Sequence, residues 1–197
     1  MKTINKIYTS NINIKKSEFI CRLFPIKNEN EAKEIINEIS TKYNDATHNC
    51  TAYRIGNHGI YDDNGEPSGT AGKPILNVLE KNDLSNILAI VTRYFGGIKL
   101  GAGGLVRAYS KSVLNTLEEA TIVQMSEFQI YELNFPYNHI KNIDNEIRNQ
   151  NIRIISKDYD ENVKYTIALK NKEPTENIEQ KYDNVELEFI TNQYLEE

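Results

Sequence analysis

Alternating apolar and polar residues open the chain. Ile12 and Ile14, followed by Phe19, Cys21 and Leu23, occupy every second position. A period of two places one set of side chains on one face of a strand. The pattern therefore predicts two short strands before residue 25.

A helix is predicted next. Asn28 stands three residues before Glu31, a pair typical of a helix N-terminal cap. The apolar residues that follow are spaced by three and four positions, as on one face of a helix. They are Ala32, Ile35, Ile36, Ile39 and Tyr43.

The middle of the chain alternates between strand and helix patterns. Strands are predicted over 48–55 and 87–94, the second as a continuous apolar run that suits burial on both faces. A short helix is predicted over 71–81, with Pro74 tolerated in its first turn. A glycine-rich loop at 96–104 precedes a longer helix, whose apolar residues are four positions apart. They are Leu105, Tyr109, Val113 and Leu117.

The pattern changes in the last third of the chain. There, strands and helical segments follow the order β-α-β-β-α-β, including a helix predicted over 174–182. This order is the split arrangement of ferredoxin-like domains. We therefore expect an α+β protein with two domains, residues 1–122 and 123–197, and a boundary between Ala120 and Ser126.

The composition is ordinary for a soluble globular protein. Of 197 residues, 39% are hydrophobic and 26% are charged, and the longest apolar run, Ile87–Val91, is too short for a membrane-spanning helix. No membrane partner is therefore expected. The first residues contain no apolar segment typical of a secretory signal. The two cysteines, Cys21 and Cys50, are expected to be reduced thiols in a cytoplasmic protein.

Glycine and positive charge are concentrated in the same part of the chain. All ten glycines lie between Gly56 and Gly104. Residues 1–120 carry 15 basic and 13 acidic side chains, a net charge of +2, whereas residues 121–197 carry 8 and 15, a net charge of −7. Within 67–117 there are six basic and two acidic residues. Such a segment suits an anionic partner, although scattered lysines also serve as a solvated surface.

The first glycine-rich motif, at 65–74, reads Gly-Glu-Pro-Ser-Gly-Thr-Ala-Gly-Lys-Pro. It leads into a predicted helix N-terminus, where free amides and the helix dipole favour an anion, and Lys73 adds a positive charge. The motif is not a P-loop, because no glycine stands five positions before Gly72 and Pro74 replaces the hydroxyl residue. The alternative is a tight turn that caps the helix.

The second motif runs from Arg93 to Arg107, where a strand ends, glycines follow and a helix begins. Glycine amides cradle phosphate, basic side chains pair with its oxygens, and Tyr94 and Phe95 offer faces on which bases stack. The alternative is a close-packed turn with buried aromatic residues. The candidate anion- or nucleic-acid-binding residues of the whole region are Lys73, Arg93, Tyr94, Gly96, Gly97, Lys99, Gly101, Gly103, Gly104, Arg107 and Lys111.

Residues of catalytic or metal-binding type are sparse. His48 and Cys50 share one face of a predicted strand, which suits a zinc site or a nucleophile–base pair, but packing is the favoured interpretation. Asp62, Asp63 and Glu66 suit either a divalent cation or a capped turn. No group that would orient a serine or threonine nucleophile is evident, and no catalytic residue, metal or cofactor is expected. A supporting role is assigned to His48, Cys50, Asp63, Glu66, Ser68 and Thr70.

Taken together, these motifs resemble the signature of the IMPACT (YigZ) family. The resemblance rests on segments 63–74 and 90–101 and on His-Asn-Cys-Thr-Ala-Tyr at 48–53, which fits the family's H-x-C-x-A-aromatic run. It covers most of residues 17–120. Asn64 departs from the family pattern, in which aspartate is common, and this weakens a metal site in that loop.

The resemblance implies a first domain of the ribosomal protein S-five domain-two-like type and a second like the last domain of elongation factor G. It also implies RNA or ribosome binding that modulates translation, without an assigned reaction. Eukaryotic relatives act in translational control, a role that requires a further domain. Two alternatives stay open. One is an enzyme acting on a nucleotide or phosphorylated small molecule through the glycine-rich loops, and the other is a protein–protein adaptor.

Overall fold

Two compact units make up the chain in a computed structural model that describes residues 1–170, 178 and 181–197. Unit 1 is Met1–Gln124 and unit 2 is Met125–Glu197. Each unit combines helices with an antiparallel sheet, so the expected α+β class is confirmed. No helix in the described part of the chain combines the length and apolar character needed to cross a membrane.

Unit 1 contains six complete strands and three helices. Their bounds are β1 Lys2–Ile4, β2 Tyr8–Ile14, β3 Ser17–Pro25, α1 Glu29–Lys42, β4 His48–Ile55, β5 His58–Asp62, α2 Gly72–Lys81, β6 Ile87–Tyr94 and α3 Ala102–Glu118. The main sheet has the order β2-β3-β6-β4-β5, and β1 pairs with the first residues of β7, Ile122–Phe135. The sequence pattern did not predict β1 and β5, because strands of three and five residues show too little alternation.

The sheet of unit 1 is covered on both faces. On one face, α2 and α3 pack against residues such as Phe19, Cys50 and Val91. On the other face, α1 packs against residues such as Tyr53 and Leu88. Strand β6 is central and buried on both sides, which confirms the interpretation of its unbroken apolar run.

The predicted cap of α1 is also confirmed. The Asn28 side chain accepts a hydrogen bond from the Glu31 amide at 3.0 Å. In return, the Glu31 carboxylate accepts one from the Lys27 amide at 2.6 Å. Because these bonds satisfy amides that the helix leaves free, the first turn of α1 is defined by local sequence.

A tight turn joins β2 to β3 and lies against the glycine-rich loop after β6. Its two residues, Lys15 and Lys16, have φ values of 47° and 65°, in the left-handed region that a two-residue hairpin turn requires. A Cβ placed on Gly96 would lie 2.0 Å from the carbonyl carbon and oxygen of Lys16. Glycine at position 96 is therefore required by this close approach of two backbones.

Unit 2 contains the remainder of β7, a short 3-10 turn at Tyr137–His139, α4 Ile140–Asn149, β8 Arg153–Tyr159, β9 Val163–Leu169 and β10 Glu186–Glu196. The strands pair antiparallel in the order β10-β7-β9-β8. Inward-facing Leu133, Phe135 and Tyr165 pack against α4. This arrangement fits the expected ferredoxin-like domain. The helix predicted over 174–182 falls mostly outside the described residues.

Replacing Gly96 with alanine is expected to destabilise the protein by about 1–3 kcal/mol, because the new methyl group overlaps the Lys16 backbone. Urea unfolding followed by circular dichroism measures the change. Gly103→Ala is the matched control, because a Cβ there meets only the Arg107 guanidinium, at 3.6 Å. Alanine in this helical position is expected to be neutral or stabilising by up to about 1 kcal/mol. Equal stability of Gly96→Ala and the wild type would contradict the conclusion that the close approach to Lys16 requires glycine at position 96.

Candidate functional site

A carboxylate of the chain itself, that of Asp63, lies at the N-terminus of α2. The Asp63 carboxylate accepts hydrogen bonds from the amides of Gly69 at 2.7 Å, Ala71 at 3.0 Å and Gly72 at 2.8 Å. A carboxylate at this position is stabilised by free amides and the helix dipole. The first motif is thus organised as an internally capped turn, the alternative to an external anion site.

Other residues of the first motif serve the same turn. The Thr70 hydroxyl donates to the Pro67 carbonyl at 2.6 Å, and Ser68 is exposed. A Cβ on Gly72 would lie 2.6 Å from the Asp62 carbonyl oxygen, so this glycine allows the turn to close. The Lys73 ammonium lies 5.6 Å from the centre of the Tyr61 ring, where it is partly exposed.

Glu66 lies at the centre of a buried polar network. One of its oxygens accepts hydrogen bonds from Arg93 Nη1 at 2.5 Å and from the Tyr109 hydroxyl at 2.8 Å. Its other oxygen lies 3.8 Å from His48 Nε2. Glu66 and Arg93 are only 8% and 5% exposed. The expectation that Arg93 contacts phosphate at the surface is therefore corrected: its charge is committed to Glu66 inside the protein.

The aromatic residues around Arg93 differ in exposure. Its guanidinium lies between the rings of Phe19 and Phe95, at 5.4 Å and 5.5 Å from their centres. Phe19 is fully buried, whereas Phe95 is 46% exposed. The Tyr94 hydroxyl donates to Asp45 at 3.1 Å, so Tyr94 supports the end of β6, and Phe95 offers the open ring.

His48 and Cys50 belong to the same internal network. Because the Asn64 carbonyl can only accept, His48 Nδ1 donates to it, at 2.8 Å. The Cys50 thiol donates to the Asp63 carbonyl at 3.0 Å and lies 3.3 Å from the Tyr109 hydroxyl. Burial raises the pKa of the Cys50 thiol to about 12, and it also raises the pKa of Tyr109.

Burial keeps the Cys50 thiol and the Tyr109 hydroxyl protonated, so both groups can donate hydrogen bonds. It also disfavours a thiolate nucleophile at Cys50. Within the described residues, the His, Cys, Asp and Glu side chains form no group of three or more placed to hold a metal ion. His48, Cys50 and Glu66 thus form an internal network with Tyr109 of α3, whereas Asp63 and Thr70 serve the turn before α2 and Ser68 is exposed.

The N-terminus of α3 is open, unlike that of α2. The amides at the start of α2 bind Asp63 from outside that helix, whereas among the described residues no side chain is hydrogen-bonded to the first amides of α3, whose N-cap residue is Gly101. Gly101 precedes the helix with φ of +74°, and Gly101, Ala102 and Gly103 are exposed. The Arg107 guanidinium folds back to within 3.6 Å of the position that a Cβ on Gly103 would occupy. The Arg107 guanidinium and the free amides of the first turn of α3 therefore lie close together at the surface.

The loop before α3 adds charge and apolar surface. Lys99 is exposed, and Ile98 is 42% exposed. Gly97 has φ of +83° with open space around it, so backbone conformation favours glycine there. Lys111 follows Arg107 by one helical turn and so lies on the same face of α3.

The sequence interpretation missed Lys15. It is 92 residues from Arg107 along the chain, yet its turn lies against the loop that leads into α3 through the Gly96 contact. No local motif connects the two segments. The only signal was the pair of consecutive lysines between two predicted strands.

Two segments of the chain match known domain families. Residues 15–117 match the family model described as the Impact N-terminal domain. Residues 133–178 match a domain of unknown function (DUF1949).

Individual relatives and a solved structure cover most of the chain. It is 43% identical over 174 residues to IMPACT family member YvyE of Bacillus subtilis, spanning 87% of this chain and 80% of that protein. It is 35% identical over 161 residues to IMPACT family member YigZ of Escherichia coli, spanning 79% of each. A crystal structure of a hypothetical protein, 30% identical, covers 96% of this chain and 97% of its own with a TM-score of 0.66.

Replacing Glu66 with glutamine is expected to destabilise the protein by about 3–5 kcal/mol, because Arg93 is left as a buried, unpaired charge. Urea denaturation monitored by circular dichroism measures the loss. Ser68→Ala, two residues away and exposed, is the control and should change the stability by less than about 0.5 kcal/mol. A Glu66→Gln variant as stable as the wild type would show that the ion pair contributes little.

Both thiols are expected to resist alkylation in the folded protein. Burial raises the pKa of Cys21 and of Cys50 to about 12, so roughly one thiol in 10⁴ is ionised at pH 8. Mass spectrometry after brief iodoacetamide treatment should detect no adduct in buffer and two in strong denaturant. Rapid labelling of Cys50 in buffer would indicate an accessible, activated thiol.

Proposed function

The chain belongs to the IMPACT family, and from this premise we propose that it binds RNA or the ribosome and modulates translation. The observation that carries the proposal is the open N-terminus of α3, where the Arg107 guanidinium folds over exposed glycine backbone. Free amides, the helix dipole and an adjacent guanidinium together favour a phosphate group.

The surroundings of this point suit a polyanion better than a single small anion. Lys99 and Lys111 extend the positive surface along the loop and along the next turn of α3. Several phosphates spaced along one chain would engage such a row of cations, and each contact would make binding more sensitive to salt. Lys73 is a further phosphate contact in this proposal through its side-chain ammonium alone, because the amides at the start of α2 are already bound by Asp63.

An exposed ring beside the cations supports nucleic acid as the polyanion. Phe95 is 46% exposed and rests on the Arg93 guanidinium, so one of its faces is supported from below. Bases stack on such rings without strong sequence preference. In this proposal Phe95 takes the stacking role, while Tyr94 and Arg93 position it, and the glycines at 96, 97, 101, 103 and 104 shape the phosphate-binding backbone.

Both carboxylates named for the enzyme alternative are held by other groups. That alternative needed Asp63 or Glu66 near the loops, but Asp63 accepts from three amides and Glu66 is held by Arg93 and Tyr109. The adaptor alternative has no specific observation in its favour. The translational part of the proposal rests on family membership and on the RNA or ribosome binding that the resemblance implies for bacterial members. The role of the eukaryotic relatives, which requires a further domain, is not carried over.

Co-sedimentation with ribosomes tests the proposal. The wild-type protein is expected to pellet with ribosomes or subunits at low salt and to be released at high salt, because phosphate contacts weaken as counterions compete. The double variant Lys99→Glu, Arg107→Glu should reduce the pelleted fraction at least tenfold.

Lys33→Glu is the matched control for a change of charge. Lys33 is exposed on α1, which covers the opposite face of the sheet from α3, so its reversal should leave co-sedimentation unchanged. A wild-type protein that stays in the supernatant at low salt, and that also fails to bind free RNA, would overturn the proposed function. An equal effect of both reversals would move the binding surface away from α3.

A further inference from the structure

A cavity of about 290 Å³ lies between the β2–β3 turn and α3. Three cationic side chains line it: Lys15 from the turn and Arg107 and Lys111 from the helix. In the described part of the chain, none of these three forms an ion pair with a carboxylate. Three unpaired cations around one concave site attract an anion more strongly than scattered surface charges.

The same cavity has an apolar side. Ile14 and Leu100 are partly buried and pack against the core of unit 1, and Ala108 is 1% exposed. A ligand that satisfies the whole cavity therefore needs an anionic group and a compact apolar surface. A nucleotide, with its phosphate and its flat base, has this combination.

The size and shape of the cavity favour an unpaired nucleotide. Its volume is close to the lower limit of small-ligand sites, roughly 300 Å³. The bases of an RNA duplex are stacked inside a rod with a groove that side chains cannot enter, whereas bases of single strands are free to be splayed out and bound. A duplex could contact only the rim of the cavity.

The turn that supplies Lys15 is built at a conformational cost. Lys15 and Lys16 both have positive φ, a conformation normally given to glycine, asparagine or aspartate. The close approach of Gly96 to the Lys16 carbonyl holds this turn against the loop that leads into α3. The side chain of Lys15 is thereby kept beside the cavity.

We propose that this cavity binds one nucleotide unit of single-stranded RNA. The phosphate lies among Lys15, Arg107 and Lys111, and the base lies against the partly buried side chains of Ile14 and Leu100. The inference rests on the proposed function and adds the class of RNA and the place where one base is held.

Fluorescence anisotropy with a labelled RNA of six nucleotides and with a duplex of similar length tests this inference. The single strand is expected to bind at least tenfold more tightly than the duplex. Lys15→Ala should weaken binding of the single strand about tenfold. Lys16→Ala is the matched control, because Lys16 has the same charge and a similar backbone conformation in the same turn but does not line the cavity.

Amide chemical shifts locate the base separately from the phosphate. In spectra of ¹⁵N-labelled protein, a nucleoside 5′-monophosphate should shift the amides of both Leu100 and Arg107, and inorganic phosphate should shift the amide of Arg107 but not that of Leu100. These readouts do not depend on ribosomes, so they are distinct from co-sedimentation.

The outcomes separate this inference from the proposed function. Equal binding of duplex and single strand, or equal effects of Lys15→Ala and Lys16→Ala, would overturn the cavity assignment even if ribosome co-sedimentation is intact. Binding of the monophosphate without any binding of RNA would likewise overturn it, as a nucleotide site that is not an RNA site. Absence of binding to every RNA and to ribosomes would overturn both proposals.

Discussion

The organisation of unit 1 depends on the buried ion pair between Glu66 and Arg93. Removing two charges from water costs several kcal/mol per ion, so the pair requires good geometry and further hydrogen bonds. Tyr109 supplies one of these bonds, which connects α3 to the loop before α2 and to the end of β6. The position of the α3 N-terminus above the sheet is thus coupled to a polar network rather than to apolar packing alone.

Both glycine-rich motifs are rich in small residues, but the helix starts that follow them carry opposite charges. At α2, the Asp63 carboxylate already occupies the free amides, and a second anion there would meet a like charge. At α3 no carboxylate is present in the first turn, and Arg107 lies over the exposed backbone. One motif therefore builds the fold, and the other leaves exposed the helix start to which anion binding is proposed.

The sequence shows which of the candidate residues are neighbours along the chain but not how each of them is used in the fold. Lys99, Gly101, Gly103 and Arg107 lie together at one helix start because they are close along the chain and local geometry determines their arrangement. Arg93 was misassigned, because an arginine at the end of a strand gives no local sign of a buried carboxylate partner 27 residues away. Lys15 was missed for the same reason, since only the folded sheet brings its turn to α3.

Local sequence accounts for the strands and helices with strong periodicity, the cap of α1 and the change of pattern between the two units, because these depend on interactions between residues a few positions apart. Which charges are buried depends on the tertiary structure. It paired Glu66 with Arg93 and brought the Lys15 turn to the loop before α3. Such choices depend on long-range contacts, and the desolvation of a charge is set by everything that surrounds it. The confinement of glycine to one part of the chain indicated two loops with unusual backbone, although Lys15 and Lys16 adopt left-handed backbone outside it. The fold determined which of the two loops leaves its helix start exposed.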